Sequence, residues 1–279
     1  FVAHKIALSF VSSCIETLEK NQHYSNFASS VLITKGLMLM EQDKKEEAIQ
    51  YLEEGISLGE TSPEFKLKMV TLYREDNRNE DACRMLEKIY IDSPKWNDIE
   101  SDLNTCGDIH QIKERLDQTR KSILLSEKVA EPKSVSILNL LDENNVRQKI
   151  DVSNSDKIYV IVFFATWCGH CQNKMPQLVD FYNQLQESDL KDTVDFVPIR
   201  TAISRENYSI DTFKEIYNIP FPVMTDEGMV LDLFANEQGV RAAFPLLAVT
   251  NNKGEVIYFL SSGNYKNTVE DLFWILNSL

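Results

Sequence analysis

The sequence predicts an α + α/β fold, in which an N-terminal all-α helical-repeat domain (residues 1–126) precedes an α/β domain (residues 134–279). The first part carries apolar residues at helical spacing and only two prolines, Pro63 and Pro94. The second part alternates strand-like with helix-like segments, which is typical of α/β domains. Between them, the polar stretch "SEKVAEPKS" (126–134) is the predicted linker. A chain of 279 residues is long enough for two such domains.

Composition excludes some classes of function. The formal net charge is -14, which disfavours nucleic-acid binding because that binding depends on a basic surface. No stretch approaches the roughly 20 consecutive apolar residues that cross a bilayer. Because the chain begins at Phe1, we expect it to be an excerpt whose leader or anchor precedes this residue.

The helical part repeats with a period of 34 residues. At this offset a small residue recurs, an apolar residue follows four positions later, and a glutamate follows that: Cys14, Leu18 and Glu19; Ala48, Leu52 and Glu53; Ala82, Leu86 and Glu87. This period resembles tetratricopeptide repeats over about residues 1–95, and residues 96–126 are predicted to add one or two helices. The resemblance implies a peptide or protein ligand on the repeats; spacing the second domain is the alternative role.

The second part predicts a mostly parallel sheet with an antiparallel hairpin at its end. The hairpin is "SVSILNLL" with "VRQKIDV", and "KIYVIVFFAT" is a strand buried on both faces. The remaining predicted elements are a helix after residue 168, the strand "TVDFVPI", helices at 209–217 and 229–237, the strands "PLLAVTNN" and "EVIYFL", and a helix at 266–278.

The stretch "FFATWCGHCQNKMP" (163–176) places Cys168 and Cys171 between a strand and a helix. A c-type haem site needs a histidine after the second cysteine, but residue 172 is Gln. Three readings stay open: a redox dithiol, a zinc site completed by Cys106 and His110, and two inert core thiols. The redox dithiol is favoured because a helix N-terminus stabilises the thiolate of the first cysteine.

Further motifs extend this reading. "FFATWCGHC", "IPFPVMTDEG" and "FPLLAVTNNKGEVIY" together resemble a thioredoxin-like domain of the TlpA/ResA type over about residues 134–279. The resemblance implies a thiol-disulfide oxidoreductase with no metal and no cofactor other than the redox-active disulfide of Cys168 and Cys171. It also implies a cis bond between Phe244 and Pro245.

The position of Cys168 at the predicted helix N-terminus makes it the expected nucleophile, and Cys171, almost one turn later on the same face, is the expected resolving thiol. Three side chains form the expected substrate-binding surface, and five residues are expected to modulate the site. The first set is Trp167, Phe244 and Pro245; the second is Trp167, Gly169, His170, Lys174 and Pro245. His170 further favours the Cys168 thiolate, which makes the pair a stronger oxidant.

Two positions depart from the family pattern. Thioredoxins usually carry a buried aspartate where this chain has Val162, and TlpA/ResA-type domains often carry a glutamate where it has Lys174. We therefore expect water or another acid to accept the Cys171 proton, or Lys174 to lower the pKa of that thiol. A peroxidase of the related AhpC/TSA fold is disfavoured, because residues 161–168 read "IVFFATWC" and lack the P-x-x-x-T-x-x-C context.

The expected partners are protein thiols or disulfides and an upstream redox partner. An extracytoplasmic, periplasmic location in bacteria is implied by the resemblance, with a membrane tether ahead of Phe1. The alternative function is a protein-binding adaptor in which both domains serve as docking modules. Of the remaining cysteines, Cys14 and Cys83 are predicted to be inert helical core residues, and Cys106 an exposed thiol.

Overall fold

A computed structural model of the chain describes residues 25–59, 62–94, 99–135, 137–154, 156–201, 209–261 and 269–279. The chain divides into two units, Phe1–Asp117 and Gln118–Leu279. The division falls inside one helix, Ile109–Ser126, so the predicted domain limits of 1–126 and 134–279 stay predictions. None of the described helices is long and apolar enough to cross a membrane.

The described part of the first unit is helical, as predicted. Its helices are α1 (Ser25–Met40), α2 (Lys45–Leu58), α3 (Pro63–Glu75), α4 (Asn79–Asp92) and α5 (Ile99–Leu103), followed by a 3₁₀ turn (Asn104–Cys106) and the start of α6 (Ile109–Ser126).

Small residues bring the helices of this unit close together. Ala48 and Ala82, which share a slot in the 34-residue period, are fully buried. At Gly36 a Cβ atom would lie 2.4 Å from Cγ of Leu52, so glycine permits α1 to approach α2. The remaining repeat positions, Cys14, Leu18 and Glu19, lie outside the described residues, and the tetratricopeptide resemblance stays a prediction.

Cys83 and Cys106 form a disulfide with a Cα–Cα distance of 5.7 Å. The predictions of an inert core residue at Cys83 and a stray thiol at Cys106 were therefore wrong. The neighbouring Ala82 fills the buried slot of α4. Successive residues on a helix point about 100° apart, which directs the half-buried Cys83 toward the turn that carries Cys106. Cys14 lies outside the described residues.

The second unit is built on an eight-stranded sheet with the order β1-β8-β7-β4-β5-β6-β2-β3. Its strands are β1 (Lys133–Ser134), β2 (Leu138–Leu141), β3 (Arg147–Ile150), β4 (Ile158–Phe164), β5 (Val194–Thr201), β6 (Met224–Asp226), β7 (Leu246–Thr250) and β8 (Glu255–Ser261). Its helices are the end of α6, α7 (Gly169–Glu187), α8 (Ile210–Tyr217), α9 (Val230–Gln238) and α10 (Val269–Leu276).

The sheet corrects two predictions. It is mixed and not mostly parallel, because β4 pairs in parallel with β5 and β5 with β6, whereas the other pairings are antiparallel. The predicted linker also joins the sheet at its end. Val129 N–H donates to the carbonyl of Ile257 at 2.9 Å, and Lys133 pairs with Val256. These contacts provide hydrogen-bond partners for the backbone of Val129 and of β1.

Strand β4 lies at the centre of the sheet and is buried on both faces, as its apolar run predicts. Val160, Val162 and Phe164 belong to the core that includes α7 and α10. Ile161 and Phe163 belong to the opposite core, which includes α9. The end of β4, which leads into the cysteine motif, is therefore packed against a hydrophobic core on each face of the sheet.

Candidate active site

Cys168 is the N-cap residue of α7. Its backbone is extended (φ -82°, ψ 111°), and its sulfur accepts a hydrogen bond from the backbone N–H of Cys171, with N···S 3.4 Å. Its carbonyl accepts the backbone N–H of Gln172 at 3.0 Å, which opens the helix. The first sulfur thus lies where unpaired N–H groups and the positive end of the helix dipole stabilise negative charge.

Both active-site cysteines are free thiols, and they differ in access. Cys168 is 7% exposed and Cys171 is 1% exposed. Burial raises the pKa of the Cys171 thiol, and its hydrogen bond with Cys168 raises it further. The alternative that Lys174 lowers this pKa stays a prediction. Cys168 is therefore the more accessible of the two cysteines.

The loop before β7 faces Cys168. The Phe244–Pro245 peptide is cis, as the resemblance implies, and the Cys168 thiol lies 3.7 Å from the carbonyl oxygen of Phe244. The Trp167 ring meets the Phe244 ring edge-on at a centroid distance of 5.7 Å. Trp167, Cys168 and Phe244 therefore form one surface.

The other expected site residues lie around this surface. Gly169 and His170 are exposed in the first turn of α7, and a Cβ at Gly169 would meet no atom within 4 Å. Pro245 is half-buried and leads into β7. Val162 is fully buried in β4, where a thioredoxin usually has its carboxylate. The roles assigned to these residues stay predictions.

Lys174 lies one helical turn after Cys171 and is half-buried. Burial lowers the pKa of its amine to about 8, and the negative charge of Asp271 on α10 opposes that shift. Asp271 is 2% exposed and pairs with Arg120 of α6, whose Nη2 lies 2.7 Å from each carboxylate oxygen. The guanidinium carbon also lies 5.3 Å from the ring centroid of Trp274.

Sequence reasoning missed the Arg120–Asp271 pair. Arg120 stands between Leu116 and Leu124 at four-residue spacing, which makes it a charge within an apolar helical stripe. Asp271 interrupts the apolar helix "VEDLFWIL". Each residue could be recognised in the sequence as a charge on an apolar helix face, and a buried charge needs a partner.

The zinc reading loses one of its ligands, because Cys106 is bonded to Cys83. Within the described ranges, no three His, Cys, Asp or Glu side chains are grouped so that they could hold a metal ion.

A family model described as thioredoxin-like matches residues 156–256 of this chain. The C-terminal half contains a thioredoxin-like domain. The matched range includes both active-site cysteines and the Phe244–Pro245 bond, and it ends before Asp271.

Several relatives resemble this thioredoxin-like domain. The thiol-disulfide oxidoreductase ResA of Halalkalibacterium halodurans is 23% identical over 115 residues, which cover 41% of this chain and 59% of the relative. A protein disulfide-isomerase of Drosophila melanogaster is 29% identical over 143 residues, or 50% of this chain and 27% of the relative. The chain thus spans less than two thirds of these curated relatives.

Solved structures with this similarity include StoA from Bacillus subtilis. It is 21% identical, with a TM-score of 0.40, and the match covers 51% of this chain and 99% of StoA.

Proposed function

We propose that the chain is a thiol-disulfide oxidoreductase that exchanges disulfides with protein substrates through the Cys168–Cys171 dithiol. The observation that carries this proposal is the position of the Cys168 sulfur, at the N-terminus of α7 and beside the Phe244 carbonyl. The dithiol itself carries the two electrons, so the reaction needs no metal or other cofactor.

In the reductive direction, the Cys168 thiolate attacks one sulfur of a substrate disulfide. A bond forms between Cys168 and that sulfur, the substrate disulfide breaks, and the second substrate sulfur leaves as a thiolate. Cys171 then loses its proton and attacks the Cys168 sulfur. The Cys168–Cys171 disulfide forms, the mixed disulfide breaks, and the fully reduced substrate departs. Oxidation of a substrate dithiol is the reverse sequence.

The surface around Cys168 suits an extended polypeptide. The Trp167 and Phe244 rings contact each other, and the Phe244 carbonyl lies 3.7 Å from the Cys168 sulfur. Aromatic rings of this kind bind peptide side chains with little loss of conformational freedom. An upstream redox partner with its own thiol or disulfide returns the dithiol to its starting state at this surface.

Replacing the resolving cysteine is expected to trap the intermediate. In Cys171→Ser the Cys168 thiolate attacks a substrate disulfide and forms a mixed disulfide that cannot be resolved, so covalent complexes with a disulfide-containing substrate accumulate. Cys168→Ser removes the accessible sulfur, and its complexes should be absent because the remaining thiol is 1% exposed. Each variant is incubated with a model protein during reduction and re-oxidation of that protein's disulfide. Non-reducing electrophoresis then measures the covalent complexes that each variant forms. Equal trapping by the two variants contradicts the assignment.

His170 is expected to set the direction of the reaction. The partial positive charge of an imidazole between the cysteines favours the thiolate and thereby the reduced form. His170→Pro should therefore make the couple more reducing by tens of millivolts, at roughly 20 mV per kcal/mol of lost thiolate stabilisation. Equilibration with glutathione buffers measures the potential. An unchanged potential would mean that the helix N-terminus alone sets it, and the oxidant reading would be dropped.

An extracytoplasmic location is also proposed. The Cys83–Cys106 disulfide supports it, since structural disulfides persist in oxidising compartments and are rare in the cytosol. Alkylation of intact cells before lysis tests this location, because it should leave Cys83 and Cys106 unmodified.

The alternative candidate is an adaptor that docks partners on its helical unit. A cleft of 320 Å³ favours it, lined by Met40, Lys45, Lys68, Thr71, Leu72 and Glu75. A variant with serine at both Cys168 and Cys171 separates the two candidates, because an adaptor keeps its function and an oxidoreductase loses it.

A further inference from the structure

The loop of residues 165–167 joins β4 to α7, and its path decides where the Cys168 sulfur lies. Ala165 and Thr166 are 0% and 1% exposed, so water has little access to their backbone and each polar group needs a partner within the protein. The carbonyl of Ala165 accepts the backbone N–H of Cys168 at 3.1 Å. The carbonyl of Thr166 is satisfied by a side chain.

That side chain is Gln172, which follows the second active-site cysteine and is half-buried. Its amide nitrogen Nε2 donates to the carbonyl oxygen of Thr166 at 2.8 Å. Its backbone N–H donates to the carbonyl oxygen of Cys168 at 3.0 Å. Gln172 therefore ties the loop to the first turn of α7 at two points, one before Cys168 and one at Cys168 itself. The reaction sequence described above gives it no role.

The same loop contacts both active-site sulfurs. The Cys168 sulfur accepts the backbone N–H of Cys171 at 3.4 Å and lies 3.7 Å from the Phe244 carbonyl oxygen. Burial raises the pKa of the Cys171 thiol, and a backbone hydrogen bond of Ala165 opposes that shift. A displacement of the loop would therefore change the surroundings of both sulfurs.

We propose that Gln172 is a positioning residue for thiol-disulfide exchange, whose side-chain amide holds the loop so that the Cys168 sulfur stays at the N-terminus of α7 and within reach of Cys171. The inference rests on the proposed function. Gln172 forms no bond to the substrate and transfers no proton, because it acts on Cys168 through the Thr166 carbonyl.

The contact matters most in the mixed disulfide. When Cys168 and Cys171 are bonded to each other, their disulfide fixes the distance between the two sulfurs. When Cys168 carries a substrate instead, that bond is absent and the substrate can displace the loop. The bond from Gln172 to Thr166 then keeps the Cys168 sulfur close to Cys171, and the rate of an intramolecular step depends steeply on such proximity.

The same argument predicts an effect on the redox equilibrium. The structure describes the dithiol form, and the contact between Gln172 and Thr166 is present in it. In the disulfide form the bond between the two cysteines already restrains the loop, so the amide contributes less. Removing the amide should therefore destabilise the dithiol form more than the disulfide form and make the couple more reducing.

The aromatic disulfide DTNB separates the two chemical steps in the full chain. The protein carries Cys14→Ser and retains the Cys83–Cys106 bond, and its active-site dithiol is reduced. The Cys168 thiolate attacks one sulfur of DTNB, forms a mixed disulfide and releases one thionitrobenzoate at a rate proportional to the DTNB concentration. Cys171 then loses its proton to solvent, attacks the Cys168 sulfur and releases the second thionitrobenzoate at a rate independent of that concentration. Stopped-flow absorbance resolves both phases.

Gln172→Met removes the amide and keeps the length of the side chain. The second phase should slow about tenfold, since a misplacement of about 1 Å can cost up to about 100-fold. The first phase should slow by less than about threefold, because it needs no approach between the two cysteines. Equilibration with glutathione buffers should shift about threefold toward the disulfide form, which is about 15 mV at about 30 mV per tenfold.

The potential separates this role from a purely structural one. If Gln172 only stabilises the fold, Gln172→Met lowers the stability of the dithiol and disulfide forms equally, and the glutathione equilibrium keeps its parent value. Urea unfolding of both forms measures the two losses. A larger loss in the dithiol form supports the proposal, and equal losses with an unchanged potential overturn it.

Two further variants test whether the contact with Thr166 is responsible. Gln172→Asn keeps an amide but shortens the side chain by one methylene, so it should slow the second phase as Gln172→Met does. Gln184→Met is the matched control, because Gln184 is exposed on the same helix and donates to Asp180 at 3.1 Å. It should leave both phases unchanged.

Three outcomes contradict the inference. A parent-like second phase in Gln172→Asn would mean that polarity alone suffices, and a comparable slowing in Gln184→Met would mean that methionine disturbs α7 in general. Normal phases that are insensitive to Gln172 would contradict this inference and leave the proposed function intact. Absence of both phases in the parent protein would instead contradict the proposed function itself.

Discussion

Replacing Arg120 by methionine is expected to lower the free energy of unfolding of the thioredoxin-like domain by about 3–5 kcal/mol, the usual cost of removing one partner of a buried ion pair. The substitution preserves most of the side-chain volume but leaves the carboxylate of Asp271 buried without its 2.7 Å partner. Urea unfolding followed by tryptophan fluorescence measures the loss, with Trp96 replaced by Phe so that the remaining tryptophans, Trp167 and Trp274, lie in this domain.

An exposed pair provides the matched control. Arg147 and Glu227 form a 3.2 Å ion pair with side chains 81% and 58% exposed, so Arg147→Met should cost less than about 1 kcal/mol. Adding Asp271→Leu to Arg120→Met should recover most of the loss, because no buried charge then remains from the pair. Equal losses for Arg120→Met and Arg147→Met would contradict the prediction.

Removing the Cys83–Cys106 disulfide is expected to destabilise the helical unit by about 3–4 kcal/mol. The bond closes a loop with a sequence separation of 23, and cross-linking a loop of this length restricts the unfolded chain by about that free energy. The double variant Cys83→Ser, Cys106→Ser measures the loss by urea unfolding followed by circular dichroism.

The single variants test whether the two cysteines act as one bond. Cys83→Ser and Cys106→Ser should each cost about as much as the double variant, because either change removes the same bond. Losses that add up would mean that each cysteine contributes separately by its own contacts. A double variant as stable as the parent would show that the bond contributes no stability.

Local signals in the sequence were sufficient for most elements of the second unit. The run "KIYVIVFFAT" predicted a buried central strand, and β4 occupies Ile158–Phe164. The helices predicted at 209–217 and 229–237 are α8 and α9, each within a residue. Apolar periodicity and turn residues are short-range patterns, so a window of about ten residues contains them.

The pairing of the strands was harder to predict from the sequence. The mixed sheet arises because β7 runs antiparallel to β4 and β8 runs antiparallel to β7, and because the hairpin joins through Leu141 and Thr225. These pairings depend on the path of the chain between strands, which no local pattern contains.

The same limit applies at the site. The spacing of Cys168 and Cys171 was enough to predict a redox pair, because it places the two sulfurs one helical turn apart. Arg120 and Asp271 are 151 residues apart, and the two bonded cysteines are 23 apart. Either charge could be recognised as unusual, but its partner depends on tertiary structure.

The low exposure of Cys168 has a consequence for the timing of the reaction in a cell. We expect a cysteine that is 7% exposed and whose sulfur lies 3.7 Å from the Phe244 carbonyl oxygen to be accessible mainly to a narrow, flexible stretch of polypeptide. A cysteine embedded in a rigid, finished globule cannot enter this space. We therefore expect the proposed oxidoreductase to act on unfolded or flexible polypeptides, and to lose access to each substrate as that substrate folds.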